Sequence, residues 1–169
     1  MPRLYLLTSI LLFSLAALAQ PAVKKISAQK TVTAPKIDGV LDDEVWKTAP
    51  VATDFVELNP VAGRHEKPEE RTEVRILYDN TAIYVGARMY ETAKEKVQHE
   101  FVNRDNVGNS DFIGLILDTY LDGLNGSGFY VTAAGVQFDA KYAPNPNGNN
   151  EDPSWNAVWE SAVKIDDQG

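Results

Sequence analysis

Apolar and polar residues alternate along most of this chain, and that period of two predicts extended strands. Within residues 71–78, Val74, Ile76 and Tyr78 fall on one side of an extended backbone, with Glu73 and Arg75 on the other. Within 82–90, Ile83, Val85, Ala87 and Met89 share a side, and Tyr84, Arg88 and Tyr90 take the opposite one. The polar triplet Asp79-Asn80-Thr81 between them is short enough to make the two strands a hairpin. Residues 112–118 are apolar almost throughout, the pattern of a central strand covered on both faces. A loop over 122–128 with an Asn-Gly turn leads into a strand at 129–134, and Gly135 turns the chain into another at 136–142. Residues 158–165 are the last to carry strand period. Helical period is confined to a turn or two at 42–48 and 92–97.

These short strands predict an all-β protein, an antiparallel β-sandwich of jelly-roll-like form spanning 36–169. Residues 20–35 read as a leader and a first strand ending at Pro35, and the Asn-, Pro- and Gly-rich 143–153 as a surface loop. No internal repeat is visible. The strand at 158–165 runs into Asp166-Asp167-Gln168-Gly169, a good hairpin turn with no returning strand, so the sandwich is expected to be truncated before its last strand or strands.

The first nineteen residues depart from this pattern. Arg3 precedes an apolar run over 4–15, and Ala17-Leu18-Ala19 offers a small-residue cleavage site, the layout of a secretion signal peptide. Its removal leaves residues 20–169 and moves the formal charge from −8 to −9. Such a surface repels phosphate backbones, so nucleic acid is excluded as an expected partner. With no cysteine in the chain, disulfides, thiolate metal sites and a lipid-bearing cysteine are all excluded.

Catalytic patterns are missing. Ser127 lies in Asn-Gly-Ser-Gly, without the spacing of a nucleophile elbow. His65 and His99 sit among charged residues with no partner motif. Asp118 with Asp122, or Asp139 with Glu160, could be paired on paper as glycosidase carboxylates. With 24 acidic residues in the chain some pair always offers itself, so no enzyme is expected. Asp118, Asp122, Asn125 and Ser127 gather oxygen ligands of the kind calcium takes, without the spacing of an EF-hand loop. Aromatic faces that could stack on a sugar ring are Trp155, Trp159, Tyr130, Tyr142 and Tyr120. Of these, Trp155 follows a Pro/Asn loop and is expected to be exposed, while Trp159 alternates with Val163 and Ile165 and is expected in the core.

One segment carries more than pattern. Ile37-Asp38-Gly39-Val40-Leu41-Asp42 continues through Asp43 and Glu44 to Val45-Trp46: a turn at Asp38-Gly39, then acidic residues suited to a helix amino end. Further on come Val74-Arg75-Ile76-Leu77-Tyr78-Asp79, Asn109-Ser110-Asp111, Ile116-Leu117-Asp118, Ala134-Gly135-Val136-Gln137-Phe138-Asp139-Ala140 and Trp155-Asn156-Ala157-Val158-Trp159-Glu160-Ser161. In this order they resemble the family-nine carbohydrate-binding modules over roughly residues 31–169. Among these the chain looks most like the amino-terminal domain of large bacterial surface proteins that continue into a membrane β-barrel. The resemblance implies non-catalytic binding of polysaccharide or oligosaccharide at the cell surface, in the periplasm or at the outer membrane, in support of polysaccharide breakdown. It also implies structural calcium as the one cofactor. The family's sugar clamp does not carry over: one tryptophan position falls near Gly108, the arginine position holds Tyr130, and the second tryptophan falls beyond Gly169. In its place Trp155 and Tyr130 are expected to stack on sugar, with Asp111, Arg104 and Gln137 bonding its hydroxyls. The alternatives are an interaction domain packed on an outer-membrane β-barrel without sugar binding, and an accessory to a glycosidase region.

Overall fold

A computed structural model describes residues 24–148 and 150–169; the expected signal peptide lies outside them. The described residues are nearly all β, with eight strands in two sheets, one short α-helix and two single 3-10 turns. Strand β1 is Gln29–Lys30, helix α1 Glu44–Lys47, and strand β2 Val51–Ala52. Strands β3 (Thr72–Tyr78) and β4 (Ile83–Met89) form the hairpin predicted from alternation, in register from Thr72 opposite Met89 to Tyr78 opposite Ile83. On the far side of β3, β1 pairs parallel at Leu77 and Tyr78, and β2 antiparallel at Val74 and Arg75. The second sheet is an antiparallel meander of β5 (Phe112–Leu117), β6 (Gly126–Thr132), β7 (Gln137–Tyr142) and β8 (Glu151–Asp152).

The opening motif builds a buried hydrophobic cluster. The Asp38 carboxylate accepts the Val40 N–H at 3.0 Å, closing a turn that holds Gly39 at φ +79°. Asp43 stands at the N-cap of α1, but its side chain bonds no helix N–H; it accepts the Lys36 N–H at 3.0 Å instead. The acidic residues therefore fix the entry to the turn rather than cap the helix by side chain. Pro50 stops the helix soon after it starts. Trp46, Ala49 and Leu77 are buried together, with Leu41, Val45 and Tyr84 against them. Burial of a side chain as large as Trp46 contributes about 3 kcal/mol. Gly86 on β4 is what lets this layer approach, since a Cβ there would lie 2.7 Å from Leu41 Cδ2 and 3.1 Å from the Trp46 ring.

The opposite face of the first sheet (Ile76, Tyr78, Ile83) looks across an open apolar cleft of about 560 Å³ to Leu115 and Leu117 of β5. The two sheets thus stand in the sandwich-like relation expected, with this cleft between them. Residues 155–169 run as a strap from one sheet to the other. Trp155 and Trp159 rest edge-on against Phe129 of β6. Farther on, the Val163–Lys164 backbone passes Gly39, whose added Cβ would meet Val163 C at 2.9 Å. The strap then reaches Arg88, which contacts Asp166 at 2.6 Å, and the Gln168 carbonyl, which accepts the Glu91 N–H at 2.8 Å.

Three expectations are corrected. Strand β5 is an edge strand rather than a central one: it pairs with β6 alone, and Phe112, Gly114 and Ile116 are exposed. Residues 158–165 form no ladder; Trp159 and Ser161 turn toward the second sheet from an unpaired strap. The loop at 143–153 contains β8 near its end.

Candidate functional site: an aromatic sheet face

Antiparallel register sorts the second sheet into two faces. The inner one carries Ile113, Leu115, Phe129, Gln137, Asp139 and Lys141, and the strap covers part of it. The outer one carries Phe112, Gly114 and Ile116 from β5, Gly126, Gly128, Tyr130 and Thr132 from β6, and Phe138, Ala140 and Tyr142 from β7. Glycines decide the shape of this outer face. A Cβ at Gly114 would lie 2.2 Å from Tyr130 Cδ1, and one at Gly128 would lie 2.7 Å from both the Tyr130 and Tyr142 rings. The missing side chains make the bed on which the Tyr130 ring lies. Phe138 flanks that ring at 5.2 Å between centroids and Phe112 at 6.1 Å. Phe112 is 51% exposed, and Tyr130, Phe138 and Tyr142 are half-buried.

A line of oxygen atoms borders the rings. Tyr130 Oη and Tyr142 Oη are 2.7 Å apart, and Tyr142 Oη donates to Glu151 Oε2 at 2.7 Å. Burial, then the Tyr130 and Glu151 bonds, push the Tyr142 hydroxyl far above the usual tyrosine range, so it remains a donor. The result is an apolar ring surface beside polar hydroxyl and carboxylate groups, suited to a ligand that is apolar on its faces and hydroxylated at its rim.

The five residues expected to hold sugar do not gather here. Tyr130 does, at the centre of the outer face. Trp155 lies behind the sheet: it packs on Phe129 at 5.8 Å, and Lys141 Nζ sits 4.4 Å over its ring. It is half-buried rather than exposed, and it cannot share a ligand ring with Tyr130. Arg104 and Gln137 are joined to each other on the inner side. Arg104 donates to Gln137 Oε1 and to the carboxylate of Asp139, while Gln137 Nε2 donates to the Trp159 carbonyl at 3.2 Å and to Ser161 Oγ at 3.0 Å. Asp111 accepts the Gln98 N–H at 2.8 Å, tying down the loop before β5. These three side chains are thus engaged in internal bonds.

Asp139 is the hub that joins strap to sheet. It is fully buried and accepts from Arg104, from Trp159 Nε1 at 3.0 Å and from the Ala157 N–H at 3.0 Å. Trp159, expected in the core, is half-buried with its ring on Phe129 and its N–H on this carboxylate. The sequence offers Asp139 only as a paper partner of Glu160 in a glycosidase pair, a different role from the one it holds here, and it does not point to Phe112 or Phe138. A glycine inside each of two adjacent strands, 114 and 128, was the available signal that a large ring lies across them.

The oxygen-rich loop after β5 is bonded within itself. Asp118 accepts the Asp122 and Gly123 N–H groups. Asp122 accepts the Asn125 N–H at 2.8 Å, the Asn125 side-chain amide at 2.6 Å and the Leu124 N–H at 2.8 Å, which in that order hold its carboxyl below the usual carboxylate range. Ser127 faces Lys141 at 2.6 Å, on the inner side. Among the described residues no cluster of three or more acidic or histidine side chains is disposed around a common ion position. His65 bonds Asp54 at 2.5 Å in an exposed loop, and His99 the Val97 carbonyl at 2.9 Å. No helix among the described residues is long and apolar enough to cross a membrane.

Fold and face together define an all-β, sandwich-like protein with a solvent-facing aromatic platform. No protein-family profile, curated protein or solved structure matches the chain.

Proposed function

We propose that this protein binds glycan without transforming it, and that the outer face of the second sheet is where it does so. The observation that supports this reading is the Tyr130 ring, bedded on Gly114 and Gly128 between Phe112 and Phe138, with the Tyr142 and Glu151 oxygens along its border. A pyranose presents C–H groups on its faces and hydroxyls around its edge, which such a surface complements. The motif resemblance to family-nine carbohydrate-binding modules points the same way, as does the signal-like leader, which would place the protein at the cell surface or in the periplasm. Structural calcium enters only through that resemblance. Calorimetric titration with neutral oligosaccharides, repeated on Tyr130→Ala and Phe112→Ala, tests the proposal. Binding that both variants lose, with unchanged circular dichroism, supports it; absence of heat from every sugar, or binding indifferent to both substitutions, removes it.

The cleft between the sheets favours a second reading. Tyr78, Ile83 and their neighbours leave apolar surface open there, as an interaction domain seated on a larger β-rich partner such as a membrane β-barrel would.

A further inference from the structure

Strand β5 ends the second sheet on one side with an unpaired edge. The Asp111 carbonyl accepts the Ala133 N–H at 2.8 Å, and the register runs from Phe112 opposite Thr132 to Leu117 opposite Ser127. Bonding alternates along an antiparallel pair. Ile113, Leu115 and Leu117 therefore turn their N–H and C=O groups to β6, while Phe112, Gly114 and Ile116 turn theirs away from it. No strand among the described residues lies on that side, and Phe112 and Ile116 are 51% and 56% exposed. Natural edge strands are kept from pairing by brevity, charge, proline or cover. Over its 6 residues β5 has no charge and no proline. Strand β4, the other edge strand of comparable length, carries Arg88, which is ion-paired with Asp166 of the strap.

We infer that β5 is a self-association seam, pairing antiparallel with β5 of a second copy about a two-fold axis at Gly114, independently of the glycan-binding reading. With Gly114 opposite its own symmetry mate, Phe112 stands opposite the partner's Ile116. A bulky ring then faces a branched chain on each side of a glycine pair, and the outward N–H and C=O groups of Phe112, Gly114 and Ile116 find acceptors and donors. The occupant is a second copy because of charge. The chain carries −8, so two copies repel in general, and a strand as uncharged as β5 itself lays no like charge against the seam. Asp111 and Asp118 flank the strand, but in this register they stand opposite the partner's Leu117 and the partner's Ser110, not each other. Their carboxylates already accept the N–H groups of Gln98, Asp122 and Gly123. One strand pair makes a small seam, under the roughly 1,200 Å² of total buried area typical of stable complexes, so the dimer is a weak one of micromolar order. It joins two 4-stranded sheets into one continuous sheet, with both Tyr130 rings on the same face.

Sedimentation equilibrium of the full chain from about 1 to about 500 µM tests the seam. A monomer–dimer equilibrium is expected, and it should hold or tighten as salt rises, because two anionic copies are joined through uncharged residues. Ile116→Pro removes an outward N–H and spares the β6 ladder, and Ile116→Lys sets a charge on the edge. Each should weaken association about thirtyfold, since the dyad makes every change count twice. Val158→Lys, at a fully exposed apolar position of the strap, controls for general stickiness and should leave association within about twofold. Hydrogen exchange at the Gly114 and Ile116 amides should slow as protein concentration rises. A chain that stays monomeric at every concentration overturns the second copy as occupant, even where the edge takes up a strand from another protein. Association that survives both Ile116 variants, or that Val158→Lys weakens as much as they do, overturns β5 as the seam. Should the Ile116 variants fail to fold, amide exchange of the wild type decides alone: rates at Gly114 and Ile116 indifferent to concentration overturn the inference. No glycan enters the experiment, so a failed seam leaves the glycan-binding reading standing.

Discussion

Removing the Asp139 carboxylate should cost this protein about 4 kcal/mol of stability. The side chain is fully buried and serves three donors: the Ala157 N–H and Trp159 Nε1–H, each at 3.0 Å, and the Arg104 guanidinium. In Asp139→Ala the first two lose a charged acceptor in a half-buried setting, a loss of about 1.5 to 2 kcal/mol each. Arg104 retains 39% exposure and regains water, so its share is at most about 1 kcal/mol. The expected total is about 4 kcal/mol, inside the range for breaking a buried charge pair. For a domain of this size that is about 2 M in urea midpoint. Equilibrium unfolding followed by tryptophan fluorescence reads it directly, since Trp155 and Trp159 lie on the strap that should detach first. A double-mutant cycle with Trp159→Phe, which keeps the ring packing and removes the N–H, should show coupling of about 1 kcal/mol. A cost below about 1 kcal/mol for Asp139→Ala, or strict additivity with Trp159→Phe, would refute the hub role.

Other outcomes follow from the same geometry. Gly39→Ala should destabilise by about 2 to 4 kcal/mol, because it combines a positive φ with a Cβ 2.9 Å from the Val163 carbonyl carbon; a thermal melt within a degree of wild type would contradict that. Gly114→Ala should leave the fold intact but displace the Tyr130 ring, whose Cδ1 lies 2.2 Å from the added Cβ, changing the near-ultraviolet circular dichroism and abolishing any glycan binding. On acidification, the Asp79 carboxyl is held far below the usual carboxylate range by the Thr81 hydroxyl first, then the Thr81 and Ala82 N–H groups and the Tyr84 hydroxyl. A depressed folded pKa means stability that is present above the unfolded value and lost as pH falls below about 4. The urea midpoint should therefore drop between pH 4 and pH 2.5, and drop less in Asp79→Asn.

Much of the fold could be read from residue order because alternation reports which side chains share a face. Thr72 to Met89 formed the expected hairpin with the expected faces, and the Ile-Asp-Gly turn delivered Trp46 to a core. What failed were inferences from hydropathy to position. The apolar stretch Phe112–Leu117 suggested cover on both sides, yet β5 is an edge whose outer residues belong to an open aromatic face. Residues 158–165 alternate in part because the strap turns Trp159 and Ser161 toward the sheet, while Val163, in the same phase, is exposed. The site was half legible. Tyr130 was visible as a possible platform, but Arg104 and Gln137 looked like free hydrogen-bonding groups because nothing local shows that Asp139, 35 residues beyond Arg104, organises them. Trp155 and Tyr130 were grouped by proximity to matched motifs, whereas the two-residue period of β6 puts Phe129, which Trp155 touches, and Tyr130 on opposite sides.

The contact between Gly39 and the backbone at Val163 and Lys164 bears on how the chain is made. The turn that opens the domain lies against residues synthesised more than a hundred positions later, so a nascent chain still lacking them can form the β3–β4 hairpin and pack Trp46 on it while the Gly39 turn stays uncovered. Until Val163 and Lys164 have emerged, the loop that their contact with Gly39 closes stays open, and closing it carries the entropic cost of a long loop. The cover over the Gly39 turn is therefore added after the hairpin and the Trp46 cluster beneath it.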